Sequence, residues 1–393
     1  MRFFLTVAAA GLVATSALAA PFTPKSDDEV VERLPSTASD PSIRRVDSLR
    51  KQLAAKPDDL ALRLEIGRRY FDLAMAQGDP RYVGYATATI APVEKAAPAN
   101  ASYWLIKGLL QQYSHDFPGA MASLKRSSEL DPQSPDPVSW RAAIDMVEAR
   151  YADALGECTR LVPLTHPLHA QACTAYVQAA TGQLQPAYDA LLKEFNAAQG
   201  LPPEFMLWVR TRLAEMAMRL QRQDEAQVHF MEALKLGVPD QFLLAAWADY
   251  LLATKRPAEV IELLKDWERS DVLLLRLAYA GKAANDSRAA NWAAQLRDRF
   301  QAAALRGDRL HEQEAARFEL DIEGNTKKAL DLASRNYTAQ KEPRDAEILM
   351  RTALAANIAK AAQPALDWLR TSHYEDPALA ALASQLVAKG AAQ

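Results

Sequence analysis

From Pro41 onward the chain is punctuated. Apolar residues recur at helical spacing in segments of about 12 to 15 residues, and Pro, Gly, Asn or Asp breaks the pattern at regular intervals. A run of short helices joined by tight turns is the architecture such punctuation permits. With 14 glycines among 393 residues and 49% of the chain apolar, a disordered polymer and a fibre are excluded. Length alone would suit two or three globular domains, but even punctuation points instead to one repeat array.

The clearest unit is Ala101 to Ser134. Counted from Ala101, Trp104, Gly108, Phe117, Ala120 and Leu124 stand at positions 4, 8, 17, 20 and 24, and Glu129-Leu130-Asp131-Pro132 closes the unit. This pattern resembles the tetratricopeptide repeat (TPR), a helix-turn-helix of about 34 residues in which small residues let two helices approach and large ones fill the gap. Further units begin near Leu60, Pro135, Leu168, Leu207, Gln241, Asp271, Leu310 and Ala346, a mean spacing of about 36 residues. The alternative is a non-repetitive helical bundle, which has no reason to place small residues and prolines at matching offsets.

The predicted fold is therefore all-α, a right-handed superhelical solenoid of stacked antiparallel hairpins. The predicted organisation is a signal peptide over 1–19, an extended leader over 20–42 with at most a short helix near Glu29 to Leu34, an array of about nine hairpins over 43–375, and a C-terminal helix or tail over 376–393. Residues 43–57 resemble half a repeat and are read as an N-terminal cap. Arg2, the apolar stretch Phe3 to Val13 and Ala17-Leu18-Ala19 follow the order of a secretory signal cut after Ala19, a retained anchor being the alternative. The expected location is periplasmic or secreted, with no transmembrane segment in the mature chain.

The resemblance implies a concave groove lined by the first helix of each unit, with contacts from positions 2, 5, 9 and 12. Those positions hold Leu64, Arg68, Phe71, Leu105, Gln112, Met146, His169, Tyr176, Trp208, Met218, Phe242, Tyr279, His311 and Phe318. The partner-binding set is Arg68, Phe71, Gln112, Met146, Tyr176, Trp208, Met218, Phe242, Tyr279 and Phe318, although a slip of one position would turn many of these into the core. The Lys and Asn that clamp a terminal carboxylate in one branch of the family are missing, since Leu64 pairs with Arg68 and Leu105 with Leu109 at those positions.

Cys158 and Cys173 are the only cysteines and lie symmetrically about the turn Pro163-Leu164-Thr165-His166-Pro167, a spacing that predicts a disulfide. A metal site using Cys158, His166, His169 and Cys173 is the competing reading, but the imidazoles lie about two helical turns from the thiols. The predicted set includes no metal and no cofactor. Asp116 is expected to cap the helix that follows His115, and no catalytic partner for His115 is visible.

Around Gly78-Asp79-Pro80-Arg81-Tyr82, His115-Asp116-Phe117 and the cysteine pair the chain also resembles uncharacterised exported TPR proteins of Gram-negative bacteria. No nucleophile elbow, phosphate loop or H-E-x-x-H motif occurs. A net charge of −3 disfavours nucleic acid as a partner. The expected function is a non-catalytic exported scaffold that binds a protein or peptide by apolar and aromatic contact; the alternative is a periplasmic metal-homeostasis accessory using the 158–173 cluster.

Overall fold

The computed structural model describes residues 40–391; the signal segment and almost all of the leader lie outside the described residues. Helix α1 (Pro41–Ala55) has no hairpin partner and packs on α2, burying Val46 and Leu49. Nine hairpins follow: α2 (Leu60–Gln77) with α3 (Arg81–Ala96), α4 (Ala101–Tyr113) with α5 (Phe117–Leu130), α6 (Asp136–Val147) with α7 (Tyr151–Leu161), α8 (Pro167–Ala179) with α9 (Leu184–Ala197), α10 (Pro203–Arg219) with α11 (Gln223–Leu234), α12 (Gln241–Ala253) with α13 (Pro257–Leu264), α14 (Asp271–Ala284) with α15 (Ala289–Leu305), α16 (Glu312–Asp321) with α17 (Thr326–Ala339), and α18 (Pro343–Ala355) with α19 (Gln363–Ser372). Helix α20 (Pro377–Ala391) closes the array, and no strand occurs among the described residues. No described helix is long and apolar enough to cross a membrane.

Each hairpin turn contains one residue with positive φ: Gly78, His115, Ala149, Gly182, Gln221, Lys255, Asn285, Gly324 and Asn357. In seven of them the amide that follows this residue reaches back five residues, as in Asp116 N to Gln111 O (2.9 Å), Arg150 N to Asp145 O (2.7 Å) and Arg222 N to Ala217 O (2.8 Å). This six-to-one bond is the Schellman closure of a helix C-terminus, which satisfies a carbonyl left without an intrahelical donor. It holds even non-glycine residues in the left-handed region, at a cost of about 1 kcal/mol each. The next helix then starts at once, and Asp116 caps α5 by accepting from Gly119 N at 3.1 Å.

Within a hairpin the helices approach closely because the crossing positions are small. A Cβ on Gly108 would lie 2.7 Å from Leu124 Cγ, and one on Gly67 would lie 2.4 Å from an Ile90 methyl. Consecutive even-numbered helices from α2 to α18 touch one another, while odd-numbered helices contact mainly the even ones beside them. Helices crowd on the inside of a bend, so the even helices form the concave layer.

The coil is tight enough for its turns to meet, hairpins five or six places apart making contact. Gln241 Nε2 donates to Met75 O (3.2 Å), Lys341 N to Val147 O (2.8 Å), and Trp368 Nε1 to the Tyr151 hydroxyl (2.9 Å). The link between α19 and α20 is held similarly. Arg219 lies 3.8 Å from the Tyr374 ring centroid and donates to Glu375 O at 2.9 Å.

Cys158 and Cys173 form a disulfide between α7 and α8, with Cα atoms 5.5 Å apart. Both sulfurs are thereby removed from the pool of metal ligands, and His166 instead caps α8 by accepting from Leu168 N at 3.2 Å. The metal reading of this cluster is corrected accordingly: it loses both thiolates, and one imidazole is engaged in capping.

Candidate functional site on the concave face

The concave face of α8 and α10 carries an aromatic run. Phe205 stacks on Trp208 (centroids 6.1 Å), Trp208 meets Tyr176 edge-on (6.4 Å), and His169 lies 5.0 Å from Phe205. All four are half-buried, so part of each ring faces the groove. Arg212 sits 5.1 Å from the Tyr176 ring centroid, donates to its hydroxyl at 3.2 Å and pairs with Glu215 at 2.8 Å. Burial raises the Tyr176 hydroxyl's pKa, keeping it protonated, although Arg212 partly opposes that.

From α12 to α18 the same face carries a ladder of charges. Asp249 of α12 accepts from Arg276 of α14 at 2.6 Å and lies 3.9 Å from Arg317 of α16. Tyr279 donates to Asp321 at 2.9 Å, and Asp321 also accepts from Arg351 of α18 at 2.6 Å. Burial pushes the Asp249 carboxyl up, but Arg276 and Arg317 outweigh it and hold the group below the usual range. At the other end Arg68 bridges Asp72 and Asp136, at 3.0 Å from each. Arg212, Arg276 and Arg317 each retain a buried Nε–H without an acceptor among the described residues. A buried donor left unpaired costs about 1 to 3 kcal/mol, so these positions favour an acceptor-bearing ligand.

Of the residues expected in the groove, Tyr176, Trp208, Arg68 and Tyr279 are half-buried members of these two arrangements. Phe242 on α12 is 37% exposed. Gln112 is half-buried, while Met146 and Met218 pack against hydrophobic clusters. Phe71 and Phe318 are corrected to core: they are 2% and 0% exposed and pack against Trp140 and Phe300 at 5.6 Å. Phe71 stands about 60° around α2 from Arg68, and Phe318 about 100° around α16 from Arg317, and those rotations turn both rings inward.

The expectation of a predominantly apolar groove is also corrected, because half of the concave face is ionic. Asp249 stands at position 9 of its unit, a groove position of the same template, but a carboxylate carries no aromatic or methionine signal.

No protein-family model matches the chain, and no curated protein matches it. Among solved structures, PilW, a type IV pilus biogenesis factor, is 19% identical, with 60% of this chain and 94% of that one covered and a TM-score of 0.36. Yeast Tom70 is 12% identical with 89% and 85% covered and a TM-score of 0.43. The TPR domain of P58(IPK) is 13% identical with 84% and 99% covered and a TM-score of 0.25. The likeness is to TPR folds. It concerns stacked helical hairpins, and the residues of the concave face stand on their own geometry.

Proposed function

We propose that this chain is an exported, non-catalytic scaffold that holds a segment of a partner protein on its concave face. The observation that carries the reading is the Phe205–Trp208–Tyr176 run beside Arg212 on adjacent even helices. Half-exposed aromatics beside an arginine are the residues that dominate protein interfaces. An extended peptide would lay an aromatic or aliphatic side chain on the rings and offer its carbonyls to the unpaired arginine donors. The near-neutral net charge of −3 supports a protein partner over nucleic acid. Export is supported by the Cys158–Cys173 disulfide together with the charged, apolar and Ala-Leu-Ala order of the first 19 residues.

The test is photo-crosslinking in living cells with a crosslinker at Trp208, compared with one at Val228, which is 57% exposed on α11 of the outer layer. A partner captured at Trp208 and not at Val228, and lost when Tyr176 is changed to Ala, is the expected result. Equal capture at both positions would remove the groove from the proposal.

A further inference from the structure

Where the turns of the coil meet, the first turn of α7 faces α17 and α19 across a cleft of about 750 Å³, a volume typical of small-molecule sites. Its lining includes the aromatic side chains of Tyr151, Tyr337 and Trp368. Three kinds of donor meet there. Tyr337 is only 4% exposed and its hydroxyl has no partner among the described residues. Burial keeps that hydroxyl protonated, hence a donor. No side chain caps α7, so the amides of Tyr151, Ala152 and Asp153, which open the helix, have no intrahelical acceptor and carry the positive end of its dipole. Lys341 lines the cleft and pairs with no carboxylate among the described residues.

Arg150 engages the acids nearby. Glu148 and Asp153 both face Arg150, at 2.5 and 3.8 Å, and that guanidinium also holds Asp145. With Lys341 the charged lining side chains, Glu148 and Asp153 against Arg150 and Lys341, balance, so an anion here would be held by directed donors and not by net charge. An acceptor-only anion suits amides, an ammonium and a phenol at once, while the rings suit an apolar body.

We propose that this cleft binds a small amphipathic carboxylate, its anion held by the start of α7, Lys341 and the Tyr337 hydroxyl, and its apolar body by Tyr151 and Trp368. A free organic acid and the carboxyl end of a peptide share this chemistry.

The experiment titrates the full mature chain with 4-phenylbutyrate, its uncharged amide, and a Gly-Ser-Gly-Phe peptide with free or amidated carboxyl. Calorimetry gives affinity, and the Trp368 indole N–H resonance gives location. The expected result is that acids bind about tenfold or more tighter than amides and shift that resonance, and that K341Q and Y337F each weaken the acids about fivefold or more. Binding of 4-phenylbutyrate supports a free acid as the ligand; binding of the peptide acid alone supports a chain end. Lack of binding by either acid at about 10 mM, equal binding of acids and amides, or variants with unchanged affinity would each overturn the proposal. Circular dichroism of both variants separates lost binding from lost folding.

Discussion

Glu375 caps a helix 191 residues away: its Oε2 accepts the Leu184 amide at 2.6 Å, at the start of α9. That helix has no side-chain cap of its own, because Gln183 precedes it without such a bond. A carboxylate at a helix N-terminus satisfies a free amide and meets the dipole favourably, an effect of about 1 kcal/mol. Glu375→Ala should therefore lower the urea midpoint modestly and speed hydrogen exchange at Leu184 and its neighbours, while Glu375→Gln keeps part of the effect. Unchanged exchange at α9 would show that the contact contributes nothing to holding the last hairpin.

The disulfide closes a loop of 15 residues between two helices already packed on each other. Chain-entropy arguments assign such a crosslink about 3 kcal/mol. A Cys158→Ser, Cys173→Ser variant should be destabilised by roughly that amount in denaturant unfolding, and the unreduced, denatured protein should titrate without free thiols. Two thiols in that titration would remove both the crosslink and its stabilisation.

The same substitution has opposite signs at two glycines. Gly108 faces Leu124 so closely that a methyl group must displace it, and overpacking of this kind costs about 1 to 3 kcal/mol. Gly156, inside α7, has nothing within 4 Å of its Cβ position. There Gly→Ala removes backbone entropy from the unfolded chain and should stabilise by about 0.5 to 1 kcal/mol. Thermal unfolding of G108A and G156A checks both signs, and a G108A protein at least as stable as the parent would contradict the close-packing account.

Gly108 also marks what was legible in the sequence. The first helix of each hairpin begins within about four residues of the start read from punctuation, because caps, prolines and small crossing residues are local signals. The turns were less legible. Gly182 and Gly324 advertise a left-handed residue, but His115, Ala149, Gln221 and Lys255 adopt the same conformation with no compositional sign, held by the six-to-one bond. The contact between turns of the coil, from Gln241 to Met75 or Trp368 to Tyr151, depends on curvature summed over five or six hairpins, which no local pattern encodes. Phe71 and Phe318 are core for a complementary reason: the apolar period is local, but which of its positions turns inward is set by packing, as Phe71 meets Trp140 while Arg68 of the same helix reaches Asp136.

His229 sets an acid limit on the middle of the array. It is 7% exposed and bonds the Tyr188 hydroxyl through Nε2 at 3.1 Å, while that hydroxyl donates to Glu225 at 2.7 Å. The phenol oxygen must then accept from Nε2–H, which leaves Nδ1 unprotonated, and Nδ1 has no partner among the described residues. A second proton would be buried without an acceptor. Burial first and the Arg210 charge second push the imidazole down to about 4 from its ordinary 6.5. With the folded value depressed, the unfolded chain takes up the proton first as pH falls, so stability present above about 6.5 is lost progressively down to about 4. The loss amounts to about 3 kcal/mol if the full shift is realised. Unfolding free energy measured from pH 7 to pH 4 should fall more steeply in the parent than in His229→Gln, whose amide can still donate to Tyr188 but does not titrate. Parallel slopes for the two proteins would mean that this imidazole titrates alike in the folded and unfolded chains.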